Sequence, residues 1–551
     1  MAEQHPYSPE DVGKPKVTGT RVHERHISND STGLQVREII TNSSQAKKNV
    51  LTQKAGYEYT AFKWPSWKKW SVLTVIFILQ ISMNWNAAIY ANAVSGMSKH
   101  FDISDAQTRL GQMAFLVAYA FGCELWAPFS EDFGRKWILQ GSLFLVNVWQ
   151  IPCALAPNWG TVLVARTLGG LSSAGGSVTL GIVADMFEPA YQHYALAYVV
   201  LASVGGSVVA PIFGGFIEQY LEWQWVFWIS LIFGGITQIL HLFLVPETRP
   251  EKLLAKEAKR RRKNGEDIWA ESELEGTFWD RIRGDPKAAC KEIAVLMWRP
   301  YLFLIKEPIV RWLSLLSGFC DTLIFIGLSS YPLVMHKWNF STIAVGLSFL
   351  PLAISYVIAW ATFMPVYRRD RQVMQGDANK ISPERRLWWL LFTAPLVPVG
   401  LFGYSWCTLG PAKDVHWIAP MIFSGMIGIA NFAVYMATID YMVAAYGPYA
   451  ASATGGNGFC RDFLAGLAAL FANPMYEKMV HGNSDFKYVW PTILLAGIAL
   501  LLVIPVYFLY FGWGEKCRKE SRYAQAVQEK RDEDNDQSET GADDTESEAK
   551  P

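Results

Sequence analysis

Long runs of apolar residues, each about 20 residues in length and nearly free of charge, recur along this chain and limit its fold more than any other feature. They fall at 71–91, 110–129, 137–156, 161–186, 194–217 and 225–245, and then at 309–334, 343–366, 387–407, 417–441, 451–473 and 489–512. A run of this length covers the hydrocarbon thickness as a helix, and a helix satisfies its own backbone hydrogen bonds where no water is present to do so. The expected fold is an all-α polytopic membrane protein with twelve transmembrane helices in two six-helix bundles. Composition agrees: only 18% of residues are charged, whereas soluble domains carry about a quarter.

The charges crowd into the segments around the runs. Residues 1–65 read as a disordered cytoplasmic N-terminal segment, 66–246 as the first bundle, and 247–305 as a solvated, partly helical central loop. Residues 306–512 read as the second bundle and 513–551 as a disordered acidic tail. The even-numbered loops hold the bases, among them Arg135, Lys136, Arg260, Arg261, Arg262, Arg368, Arg369, Arg371, Lys380, Arg385 and Arg386. By the positive-inside rule both termini are cytoplasmic. Trp64, Trp67 and Trp70, with Lys63, Lys68 and Lys69, mark an interfacial anchor before span 1. Asn339-Phe340-Ser341 is a glycosylation sequon in an expected outer loop, whereas the sequons at Asn29 and Asn42 fall on the cytoplasmic side.

Seven cysteines, at 123, 153, 290, 320, 407, 460 and 517, form no C-x-x-C pair or zinc spacing. Most sit in apolar runs, where free cysteine acts as a small hydrophobe. No Walker-type glycine loop or nucleophile motif occurs, which argues against an enzyme or an ATP-driven pump. The expectation is no cofactor and no metal, no nucleic acid, and a monomer whose partners are a small-molecule substrate and the bilayer.

Ionisable residues inside spans are costly and therefore candidates for function. Arg166 (span 4), Asp321 (span 7), and Arg461 with Asp462 (span 11) are the clearest. A carboxylate at 321 is expected to face a water-filled cavity, while Arg461 and Asp462 read as a structural pair. Glu124, Asp185 and Asp440 lie near span ends, where snorkelling or capping accounts for them. In span 5, Gly206, Ala210 and Gly214 share one face at four-residue steps, and Pro211 removes a ladder hydrogen bond. Asn84, Trp85, Asn86, Phe319, Tyr435 and Arg461 are the residues expected to line a central cavity.

Three segments taken together resemble the major facilitator superfamily. The loop Ala127-Pro128-Phe129-Ser130-Glu131-Asp132-Phe133-Gly134-Arg135-Lys136 is similar to the family's signature after span 2, with Ala127 in place of a glycine and Asp132 in place of a base. Arg166-Thr167-Leu168-Gly169-Gly170 is similar to its span-4 signature. Gly206 through Pro211-Ile212-Phe213-Gly214-Gly215 is similar to the antiporter signature of span 5, with Ala210 in place of its second glycine. Trp223-Gln224-Trp225, Pro383-Glu384-Arg385-Arg386-Leu387 and Ala451-Ser452-Ala453 extend the likeness to fungal drug:proton antiporters with twelve spans. The resemblance implies proton-driven efflux of a drug, toxin or secondary metabolite across the plasma membrane. It gives Arg166 a part in proton coupling, beside Asp321, which the cost of a mid-span carboxylate already marks, and makes Glu131, Gly134, Arg135 and Lys136 a switch at the cytoplasmic ends of the helices. A polyamine exporter and a sugar or nutrient symporter are the alternatives. Since Asp321 and Asp462 are the main carboxylates of the expected cavity, a neutral or weakly charged apolar cargo is favoured.

Overall fold

In a computed structural model of the chain, residues 37–39, 48–53, 55–173, 175–274, 283–374, 382–480 and 485–525 are described. Asn29, Asn42, Lys380 and the tail from 526 lie outside them. Contacts divide the chain into two units, residues 1–69 with 247–292, and residues 70–246 with 293–551.

The larger unit holds the spans. Span 1 is Ser66–Ala88, continued through a 3-10 turn, Ile89–Ala93, into Val94–Phe101. Spans 2 and 3 are Asp105–Phe133 and Arg135–Ala154, and span 4 is broken into Trp159–Leu171 and Gly175–Met186. Spans 5 and 6 are Pro189–Tyr220 and Gln224–Leu244. Span 7 is Pro308–Met335, and span 8 is Thr342–Leu347 with Leu350–Met374. A 3-10 turn, Pro383–Leu387, leads into span 9, Trp388–Thr393 with Leu396–Cys407. Spans 10, 11 and 12 are Ile418–Tyr446, Ala450–Lys478 and Val489–Phe508.

Nine helical stretches among the described residues are long and apolar enough to cross a membrane. The other three positions, spans 3, 4 and 11, are helical as well. Span 3 buries Gln140, Asn147 and Gln150, span 4 is broken into two short helices, and span 11 carries Arg461 and Asp462. Such helices are sheltered by neighbours rather than by lipid. Span 11 packs against span 7 in its own half and span 2 in the other, and span 5 packs along span 8. Phe243, Leu501, Phe508 and Phe511 instead point outward, as lipid-facing residues do.

The smaller unit adds strands where the expectation was disorder before 65 and a solvated, partly helical loop after 246. Strand β1 (Arg37–Ile39) pairs antiparallel with β2 (Lys48–Leu51), which pairs parallel with β3 (Ile268–Ala270). The helix Pro250–Lys263 lays Leu254 and Ala258 against Leu51 and Ala270. Its basic run is anchored: Arg261 donates to Tyr59 Oη at 2.8 Å, and Arg262 makes two 2.7 Å bonds to Glu273. The pattern was hard to read because the strands are short and distant in sequence. The expected loop also contains the helix Pro286–Lys306, and the expected disordered tail begins with the helix Gly514–Glu520.

Candidate functional site

The interior of the second half is organised around Arg461. Its Nη2 donates to Asp321 Oδ1 at 2.8 Å, joining spans 11 and 7, and its guanidinium lies 3.4 Å from the centre of the Tyr435 ring of span 10. Asp321 and Arg461 are each 7% exposed. The expected pairing of Arg461 with Asp462 is thus corrected, because neighbouring residues on a helix diverge by about 100°. Asp321, expected to face water, is bonded to a neighbouring helix. Breaking one partner of such a pair leaves a charge without compensation in a low-dielectric interior. Phe319, two residues before Asp321, is buried, and Gly318 brings span 7 against the Cys460 carbonyl of span 11.

Arg166, in the first half, is held differently. Its Nη1 donates to the backbone oxygen and Oδ1 of Asn86, at 3.2 and 3.0 Å. Its guanidinium stacks 4.0 Å from the Phe115 ring and 4.7 Å from the Tyr90 ring. It has no carboxylate partner among the described residues, so the expected pairing with a titrating acid is not what this structure holds. Asn84 donates to the Gln80 carbonyl within its own helix, and Trp85 donates to Ser230 and packs on Phe213 and Phe233. Trp85 is therefore a packing residue between spans 1, 5 and 6, not a cavity wall.

At the end bearing the basic loops, Gly134 sits between spans 2 and 3 at φ 95°, ψ 151°, a region open essentially to glycine alone. This sharp turn places Arg135 at the head of span 3, where Nε donates to Asp185 of span 4 at 3.1 Å and Nη1 to Ser130 at 2.6 Å. Gly181 leaves the guanidinium its space, since a Cβ there would come within 2.5 Å of Cζ. Lys136 Nζ donates to the Leu242 carbonyl at 3.0 Å. Glu131 is exposed and has no ion-pair partner among the described residues. The acid that meets Arg135 is Asp185, which the sequence reading treated as a cap.

The second half repeats this arrangement with residues that the sequence reading noted but did not pair. Arg386, in the loop before span 9, pairs with Asp440 at the end of span 10, and Arg518 makes 2.8 and 2.9 Å bonds to Glu384. Asp440 also receives His193 Nδ1 from span 5, at 2.7 Å, and the His193 ring stacks on Tyr367 of span 8. This contact ties the two halves together. A basic residue in the loop after the second and eighth spans, repeated six helices apart, was the available signal. Near the opposite end, Arg109 of span 2 donates to Ser329 of span 7 at 2.8 Å.

The small residues of span 5 serve two neighbours. A Cβ on Gly206 would stand 2.8 Å from the Ile81 carbonyl of span 1, and Gly214 abuts Asn92. On the adjacent face, Gly215 lies against the Thr342 carbonyl, and Gly346 of span 8 against the Pro211 carbonyl. Span 5 is thereby a close-packed strip between span 1 and the other half. Asn339 is exposed, at φ 56°, just before Ser341 caps the first helix of span 8. No group of three or more metal-ligating side chains occurs among the described residues.

Comparison with known proteins gives this architecture its relatives. The efflux pump atB of Aspergillus terreus is 32% identical over 76% of this chain and 84% of that protein. The ascochitine biosynthesis cluster MFS transporter of Didymella fabae is 27% identical over 84% of this chain and 86% of that protein. Among solved structures, the proton:xylose symporter XylE superposes with a TM-score of 0.55 over 81% of this chain and 97% of its own, at 15% identity, a likeness of fold alone. The model of the Major Facilitator Superfamily matches residues 76–470, from span 1 into span 11. With that match spread over both bundles, this chain belongs to the major facilitator superfamily and is a membrane transporter, not an enzyme.

Proposed function

We propose that this transporter exports a small amphiphilic molecule from the cell in exchange for protons, by alternating access between its two halves. The observation that carries the reading is the Asp321–Arg461 ion pair, sealed between spans 7 and 11 beside Tyr435. An acid whose partner is a movable cation gains or loses its proton as the pair closes or opens, which is the coupling an antiporter needs. Export, rather than uptake, is supported by the close-packed span-5 strip from Gly206 to Gly215 and by relatives named as efflux pumps. The Arg135–Asp185 and Arg386–Asp440 pairs sit at helix ends, where contacts that can open and re-form suit two states of similar energy.

In this reading the protein works as a monomer in the plasma membrane, with its termini in the cytoplasm, Asn339 outside and open to glycosylation, and the proton gradient as its only energy source. A drug, a toxin and a self-made metabolite are all cargoes of this kind. The test is efflux from proteoliposomes under an imposed proton gradient. Asp321→Asn is expected to abolish gradient-driven flux while leaving the protein folded and inserted. Flux that persists at the wild-type rate in that variant refutes the coupling role, and accumulation of cargo in expressing cells, instead of depletion, reverses the direction.

A further inference from the structure

Three apolar runs of the second half end at one place. Arg369 comes just past the run 343–366, Arg385 just before the run 387–407, and Tyr510 in the last turn of the run 489–512. The fold brings these side chains to a single cleft of about 620 Å³. Its walls are Pro365, Val366 and Arg369 of span 8, Arg385 of the 3-10 turn, Trp388 of span 9, and Tyr510. Where three spanning helices end together is the level of the membrane–water interface, at which Trp and Tyr settle.

Local structure shapes the cleft. Span 12 passes into a π turn, Leu509–Trp513, in which Phe511 and Gly512 leave helical geometry, Gly512 at φ 126°. Insertions of this kind are frequent at functional sites. One turn inward of Tyr510 and Trp388, Tyr507 Oη donates to the Leu391 carbonyl at 2.7 Å and ties span 12 to span 9. The same three helices carry exposed apolar faces away from the cleft. On span 8, Ile358 and Ala361 precede Pro365 on one face. On span 9, Phe392 packs edge-on against Trp388 at 5.2 Å, and on span 12 Phe508 is exposed as well.

The walls hold two guanidinium groups and no acid. Acids of the same turn and of the neighbouring helix end are committed elsewhere: Glu384 takes both of its bonds from Arg518, and Asp440 is held by Arg386 and His193. A guanidinium offers paired donors that match two phosphate oxygens. A phosphate site that opens onto lipid-facing helix surfaces suits a ligand carrying both an anion and acyl chains.

We propose that this cleft binds the headgroup of an anionic phospholipid, with Arg369 and Arg385 on the phosphate, Trp388 and Tyr510 at the glycerol level, and the chains along spans 8, 9 and 12. The site depends neither on the cargo nor on proton coupling.

The test is quenching of Trp388 by phospholipids brominated on their acyl chains, in phosphatidylcholine bilayers holding the full-length protein. The Trp388 signal is wild type minus Trp388→Phe. Brominated phosphatidylglycerol is expected to reach half-maximal quenching at a mole fraction about fivefold or more below that of brominated phosphatidylcholine, the gain expected of one arginine at such a surface. Arg369→Gln should remove most of that preference and Arg369→Lys should keep much of it. Arg368→Gln, an exposed neighbour outside the cleft, should leave it unchanged. Equal quenching by the two lipids overturns the proposal, and that comparison needs no arginine variant to fold. An equal loss in Arg368→Gln also overturns it, because the preference would then belong to the general positive surface. Unbrominated phosphatidylglycerol should relieve the quenching, while millimolar inorganic phosphate should not; relief by phosphate would give the cleft to a free anion and refute the lipid.

Discussion

Each half of this transporter buries an arginine in the middle of a span, Arg166 and Arg461, and the two are stabilised by different physics. Arg461 has a counter-ion: Asp321 neutralises it at 2.8 Å and Tyr435 covers its face. Arg166 has none; two oxygens of Asn86 and two aromatic faces hold it, and its Nε and Nη2 find no acceptor among the described residues. A cation held by dipoles and π faces stays charged whatever its neighbours do. A cation held by a carboxylate shares its fate with a group that takes up protons. In the proposed mechanism, proton chemistry falls to the second half and Arg166 takes the part of a fixed positive charge.

The largest effect expected from this comparison concerns stability. Asp321→Ala leaves a buried guanidinium without its partner and should cost ~3–5 kcal/mol. Asn86→Ala removes one acceptor, Oδ1, of a cation still held by the backbone oxygen of residue 86 and covered by Phe115 and Tyr90, and should cost about 1–3 kcal/mol. Thermal unfolding in the same detergent compares them, and equal losses would erase the distinction between the halves. A second contrast lies in the loops. Arg135 is presented by a glycine at φ 95°, whereas Arg386 is presented by the 3-10 turn Pro383–Leu387. Gly134→Ala should therefore strain the first loop by ~1–3 kcal/mol and slow transport; an unchanged melting temperature would show that the turn adapts.

The smallest effect belongs to the smaller unit, whose ion pair is partly open to solvent. Arg262 holds the Glu273 carboxyl below its ordinary 4.5 through hydrogen bonds. A lowered folded value means that the pair supports the unit above about pH 4.5 and stops doing so as pH falls through the folded value. Glu273→Gln should remove that acid-side loss and change stability at neutral pH by less than ~1 kcal/mol. The readout is the emission of Trp269, which lies beneath Arg262, taken as the difference from Trp269→Phe. A larger neutral-pH effect would make this surface pair resemble the buried ones.

The sequence by itself determined the spanning helices, because hydrocarbon demands long apolar runs and each run is local. It also marked Arg166, Asp321 and Arg461, since a charge inside such a run stands out without any knowledge of its surroundings. The span-5 glycines were legible as small residues at fixed spacing, and Gly134 through the family resemblance of its loop. What only the tertiary structure decided was who meets whom. Arg461 chose Asp321, 140 positions away, over its neighbour Asp462; Arg135 chose Asp185 over Glu131; and Glu124, read as a span-end residue, lies sealed against Gly455. Strands β2 and β3 of the smaller unit meet across more than 200 intervening residues, the first six spans among them. Partners like these are set by how helices pack and turn, and a linear pattern records the cost of burying a charge without recording what answers it.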